Sequence, residues 1–136
     1  MRALLILLLS VTAFAEEITP VPLLVHHMAD FDRKFVCVAD KTSTLTEKVG
    51  YDSHKPIFLV WAGDGDAKIK IFGYGKAPFQ AGERIEACGL FLREKRRGGR
   101  IHRDEIYAKV ILRGKSIGAG RVVLSAKDAH LVDARP

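Results

Sequence analysis

Between residues 33 and 112 the apolar positions fall into short runs separated by clusters of Gly, Asp, Ser and Pro. That spacing predicts strands joined by turns, not long helices. Residues 33–48 read as one long strand, because Phe35, Val36 and Val38 and the stretch 42–45 favour extended backbone. Residues 50–56 are a loop of turn formers, and 57–62 are a strand apolar on both faces. The sequence Gly63-Asp64-Gly65-Asp66 is a turn signal, followed by an alternating strand at 67–74. A short connection at 76–82 with Pro78 leads into a strand at 83–93, and a further strand follows at 105–112. Residues 113–136 form a C-terminal extension, with a sixth strand predicted at 121–125 and a tail beyond it. Upstream, Leu24, Met28 and Phe31 have helical spacing, with Val25 able to join them and Pro22 near the start. Residues 16–32 therefore predict a short helix or an irregular arm. The fold class expected is all-β, a five-stranded barrel over residues 33–112.

The hairpin at 57–74 carries a directional argument. A loop of two residues (Asp64-Gly65) or four (63–66) gives one pairing parity, in which Trp61 faces Lys68, Leu59 faces Lys70 and Ile57 faces Phe72. Tyr74 continues that face. The opposite face holds Phe58, Val60, Ile69 and Ile71 and is purely apolar, so it is the core side, with Ile85 and Val110 expected to join it. The first face, with Trp61, Lys68, Lys70, Phe72 and Tyr74, mixes cations with aromatics. Such a surface stacks bases and neutralises phosphates. The plainer alternative is that the lysines only solubilise a strand and the aromatics pack under the N-terminal arm.

Charge sharpens that contrast. Residues 1–15, with Arg2, an apolar stretch and Ala13-Phe14-Ala15, have the pattern of an export signal. The expected location is periplasmic or secreted, and removal of 15 leaves 121 of the 136 residues as one domain. The remainder holds 21 Lys+Arg against 16 Asp+Glu. The run from Arg93 to Arg103 contributes six basic residues, Arg93, Lys95, Arg96, Arg97, Arg100 and Arg103, against one acid. Outside it the balance is 15 against 15. Gly98-Gly99 within the run lets a loop tip turn tightly, and arginine forks bind phosphate, sulfate or carboxylate. A solvated hairpin tip is the alternative. Cys37 and Cys88 are either a disulfide, as an oxidising compartment permits, or two buried thiols.

The segments PIFLVWAGDGDAKIKIFGYG, AGERIEACG and EIYAKVIL together resemble the oligonucleotide/oligosaccharide-binding (OB) fold. The likeness is to its nucleic-acid-binding, anticodon-binding-like members and to exported bacterial proteins of that fold. It spans about residues 34–112 and rests on the apolar strand, the Asp64-Gly65 turn, Ile69 and Ile71, and the Gly82–Gly89 strand. It implies a five-stranded Greek-key barrel in which the first and fourth strands pair, bringing Cys37 and Cys88 onto neighbouring strands. The fold's usual helix between strands three and four has no room in the connection GKAPFQAG, so that end is expected to be closed either by residues 23–28 or by side chains alone. The resemblance further implies a ligand lying across strands two and three, flanked by the loops after strands one and four.

Nothing points to catalysis. No nucleophile elbow, phosphate-binding loop or zinc-protease motif is present, and no cofactor or metal is expected. Adjacent His26 and His27 point different ways on any regular element, and Asp64 and Asp66 are explained by the turn. The expected function is binding of single-stranded nucleic acid or another polyanion. The alternatives are a glycan- or lipid-headgroup-binding module and an envelope protein-interaction or structural domain.

Overall fold

The computed structural model describes residues 17–51, 54–113, 116–117, 121–122 and 129–131. The expected export signal lies outside them, as do residues 123–125 of the predicted sixth strand. Among the described residues two short helices, α1 (Val21–His26) and α2 (Met28–Phe31), precede eight strands. These are β1 (Phe35–Val49), β2 (Pro56–Asp64), β3 (Ala67–Tyr74), β4 (Arg84–Arg97), β5 (Arg100–Arg113), β6 (Ser116–Ile117), β7 (Arg121–Val122) and β8 (Ala129–Leu131). The class is all-β, as the alternation predicts.

Five strands close on themselves. β1 pairs antiparallel with both β2 and β4, β2 with β3, and β4 with β5, while a parallel β3–β5 pairing completes the ring. β8 adds to the free side of β5, and β6 pairs with β7. Closure leaves a single interior, filled by Val36, Val38, Phe58, Val60, Ile69, Ile71, Ile85, Ala87, Phe91, Ile106 and Ile111. β1 serves two neighbours because it bends in the middle. Its first half runs along β4, its second along β2, and the register slips between Ser43 and Thr46, where Thr44 has φ 48°. Buried Thr42 steadies the start of this bend, its hydroxyl donating to the Glu83 carbonyl at 2.7 Å and accepting from the Gly82 N–H at 3.1 Å.

No helix lies between β3 and β4. The interior is instead sealed by Val21 and Leu24 of α1 and by Phe79 of the β3–β4 connection, whose ring meets Phe58 edge-on at 5.7 Å. Met28 and Phe31 pack against the same core, as their spacing predicts, whereas Leu23 is exposed.

Three expectations change. The β2–β3 turn is Gly65-Asp66, with Asp64 opposite Ala67 and Gly65 at φ 58°. A glycine at the first central position suits a two-residue turn of that hand. The pairs shift by two residues, so Trp61 faces Lys70, Leu59 faces Phe72 and Ile57 faces Tyr74. Parity is kept, so both faces keep their members. Second, Val110 is only half-buried. Cys88 pairs with Val110 but Gly89 with Ala108, so Lys109 is an extra residue that reverses the alternation and turns Ile111 inward instead. Third, residues 93–103 are not a loop. β4 and β5 run on as a long hairpin to a two-residue turn, Gly98-Gly99, with φ of 59° and 76°.

Cys37 and Cys88 face each other across β1 and β4 and form a disulfide on the outside of the sheet. Their Cα atoms are 4.1 Å apart. The segment before α1 passes beside it, through an Ile18–Cys37 bridge and a Thr19 N–H donated to the Cys37 carbonyl at 2.7 Å.

Candidate ligand face

Trp61, Lys68, Lys70, Phe72 and Tyr74 all lie on the outer face of β2 and β3, since their neighbours Val60, Ala62, Ile69 and Ile71 point inward. Their availability differs. Trp61 is 38% exposed, with the Lys70 ammonium 5.6 Å from its ring centroid. Lys68 is exposed near the turn. Phe72, expected to be an open stacking platform, is fully buried. The Arg97 guanidinium carbon lies over its ring, 3.7 Å from the centroid, and Tyr74 and Tyr107 pack against it at 4.9 and 5.2 Å.

The strands explain this cap. The β4–β5 hairpin runs on past the stretch of β5 that pairs with β3, and Arg97 at its tip reaches Phe72 on the outer face of β3. Arg97 then meets a polar cluster rooted in β5. Its Nη1 donates to Glu105 Oε1 at 3.0 Å and to Tyr107 Oη at 2.6 Å. Tyr107 Oη donates in turn to Glu105 Oε1 at 3.2 Å. Lys70 Nζ stands 3.4 Å from Glu105 Oε2, an oxygen that makes no hydrogen bond. Glu105 is 1% exposed and directly opposite Lys70 in the parallel β3–β5 pairing.

His102 completes the cluster. A guanidinium can only donate, so Arg97 Nη2, at 3.1 Å, gives its hydrogen to Nδ1. The proton of the neutral ring is then on Nε2, which donates to the Arg97 carbonyl at 3.2 Å. Burial pushes the His102 pKa down, and the neighbouring Arg97 charge lowers it further. Burial likewise raises Tyr107 far above the ordinary phenol, so its hydroxyl stays a donor.

The basic run is also divided by this geometry. A two-residue turn sends neighbouring side chains to opposite faces, so Arg96 and Arg97 cannot act together. Arg97, Arg100, Lys95 and His102 share one side, while Arg96, Ile101, Glu94 and Arg103 share the other. Three of the six cations are already paired: Arg93 with Asp104 at 3.2 Å, Arg97 with Glu105 at 3.0 Å and Arg103 with Glu94 at 3.1 Å. Lys68, Lys95, Arg96 and Arg100 have no ion-pair partner among the described residues. At the tip, a side chain on Gly98 would meet Tyr51 Cβ at 3.5 Å, so the β1–β2 connection abuts the hairpin. Tyr51 itself is 82% exposed.

Glu105, Tyr107 and His102 were not among the residues that sequence pattern singled out. The signal was present: Glu105, Tyr107 and Lys109 are the polar positions, all of one parity, in an otherwise apolar stretch at 105–112. No cluster of His, Cys, Asp and Glu suited to a metal occurs among the described residues. Comparison with protein-family models, with curated proteins and with solved structures finds no match to this chain.

Proposed function

We propose that this chain is a binding module of the OB type that holds single-stranded nucleic acid across the outer face of β2 and β3. The observation that carries the reading is Trp61, left exposed on the outer face of a closed sheet with the Lys70 ammonium beside its ring. Burying an indole is worth more than leaving it in water, and the core has no need of this one. An exposed ring with cations around it is suited to a stacked base and its phosphates. Lys68 on β3 and Lys95 and Arg100 on the near side of the hairpin supply the uncommitted charge. The ring order, with the first strand between the second and fourth, agrees with the architecture that the sequence resembles.

The test is a salt series of oligothymidylate binding to the oxidised protein, read by fluorescence anisotropy. Trp61→Ala should weaken binding by about 1–3 kcal/mol with little change in salt dependence. Lys68→Ala and Arg100→Ala should each lower the log–log salt slope by roughly 0.7. A wild-type protein with no salt-sensitive binding at low ionic strength would remove this function. Binding of an acidic glycan in place of the oligonucleotide would redirect it to the polysaccharide alternative.

A further inference from the structure

Two hydrogen-bond donors and a further cation converge on Glu105: the Arg97 guanidinium at 3.0 Å, the Tyr107 hydroxyl at 3.2 Å and, as an ion pair, the Lys70 ammonium at 3.4 Å. Arg97 lies over Phe72, and both Phe72 and Glu105 are fully buried on this face. A planar fork, a hydroxyl and a point cation around one centre make a cradle for an oxyanion, and its charge is two positive before the occupant is counted. The occupant is the chain's own carboxylate. It is held there by backbone, because Glu105 pairs with Lys70 on β3 and with Leu92 on β4. The fit is incomplete, since one buried carboxylate oxygen has no hydrogen bond.

We propose that Glu105 is a built-in occupant of a phosphate-type oxyanion site, holding Arg97 and Lys70 off the polyanion that the face binds. This rests on the binding reading above. A ligand phosphate that took Arg97 would strand a buried carboxylate with fewer partners, a strongly unfavourable exchange. The resting protein therefore meets its ligand through Lys68, Lys95 and Arg100, and two further cations are held in reserve. Glu105 sets how strongly the face binds.

Glu105→Gln tests this, because it removes the charge while keeping size and one acceptor for Tyr107 or Arg97. With an oligothymidylate dodecamer, Glu105→Gln should show a salt slope steeper than wild type by about 1.4, two contacts at roughly 0.7 each, and roughly tenfold tighter binding at low salt. Adding Arg97→Ala to Glu105→Gln should take back about half of the added slope. A folded Glu105→Gln protein with the wild-type slope would overturn the proposal and leave the binding reading standing. No binding by either protein would sink both. A second measurement needs no variant: reductive methylation of wild type with the dodecamer bound should be slowed at Lys68 and Lys95 and unchanged at Lys70. Protection of Lys70 would overturn the latch.

Discussion

Arg97→Ala asks whether the tip of the basic hairpin is clamped to the sheet or merely rests near it. The substitution removes two hydrogen bonds from Arg97 Nη1, to a carboxylate that is 1% exposed and to the Tyr107 hydroxyl. It also removes the guanidinium from the face of Phe72. A hydrogen bond to a charged group contributes about 1.5–3 kcal/mol. A desolvated cation–π contact adds about 1–2 kcal/mol. Stripping a fully buried pair costs about 3–5 kcal/mol. Here Lys70 remains 3.4 Å from Glu105 and Tyr107 still donates to it, and the Arg97 side chain is 14% exposed, so water can follow it out. These lower the expectation to about 3 kcal/mol. In a domain of this size that is a fall in melting temperature of roughly 10–15 °C. Urea unfolding of the oxidised protein gives the number, as a midpoint shift at unchanged m. Because the loss comes mostly from a stranded charge, Glu105→Gln added to Arg97→Ala should recover about 1–2 kcal/mol. If Arg97→Ala unfolds within about 0.5 kcal/mol of wild type, the cluster is solvated and the clamp does not exist.

His102 is held neutral, so the unfolded chain takes up its proton more readily. Its contribution to stability is complete above the ordinary histidine value of 6.5 and is lost as pH falls through the lowered folded value. Unfolding free energy should therefore decline more steeply on acidification in wild type than in His102→Gln, and parallel curves would sink the idea. Replacing both Cys37 and Cys88 by alanine opens a loop with a sequence separation of 51, for which chain entropy predicts a loss of roughly 4 kcal/mol. A measured loss below about 1 kcal/mol would refute that account. Finally, Gly73 lies opposite Phe58 inside the sheet, and a methyl group there would run into the Phe58 ring. Gly73→Ala should cost about 1–3 kcal/mol, with Phe58→Leu relieving it in the double variant. A neutral Gly73→Ala would contradict the β2–β3 register.

What the sequence could disclose follows from which forces are local. The side-chain period of a strand is two, so an error of one residue in the turn moved every pair but left each side chain on its face. Trp61, Lys68, Lys70, Phe72 and Tyr74 were therefore grouped correctly although every partner assigned to them was displaced. The alternation failed where the backbone inserts a residue. Lys109 carries no mark of a bulge, and Val110 left the core because of it. Charge was the poorest guide, because its arithmetic depended on where the run was cut. Ended at Arg103, the run holds six cations against one acid; carried on through Asp104 and Glu105, it holds six against three. Those two acids take Arg93 and Arg97. The Gly98-Gly99 turn is the cause. It folds the run into two antiparallel strands, so that residues eight and eleven apart in sequence become neighbours. A cationic stretch read as a flexible arm would offer all its charges to a ligand. The same stretch as a clamped hairpin offers only those its own acids leave unpaired, and of these Lys95 and Arg100 lie on the side of Arg97, which is why they carry the expectation that the whole run carried before.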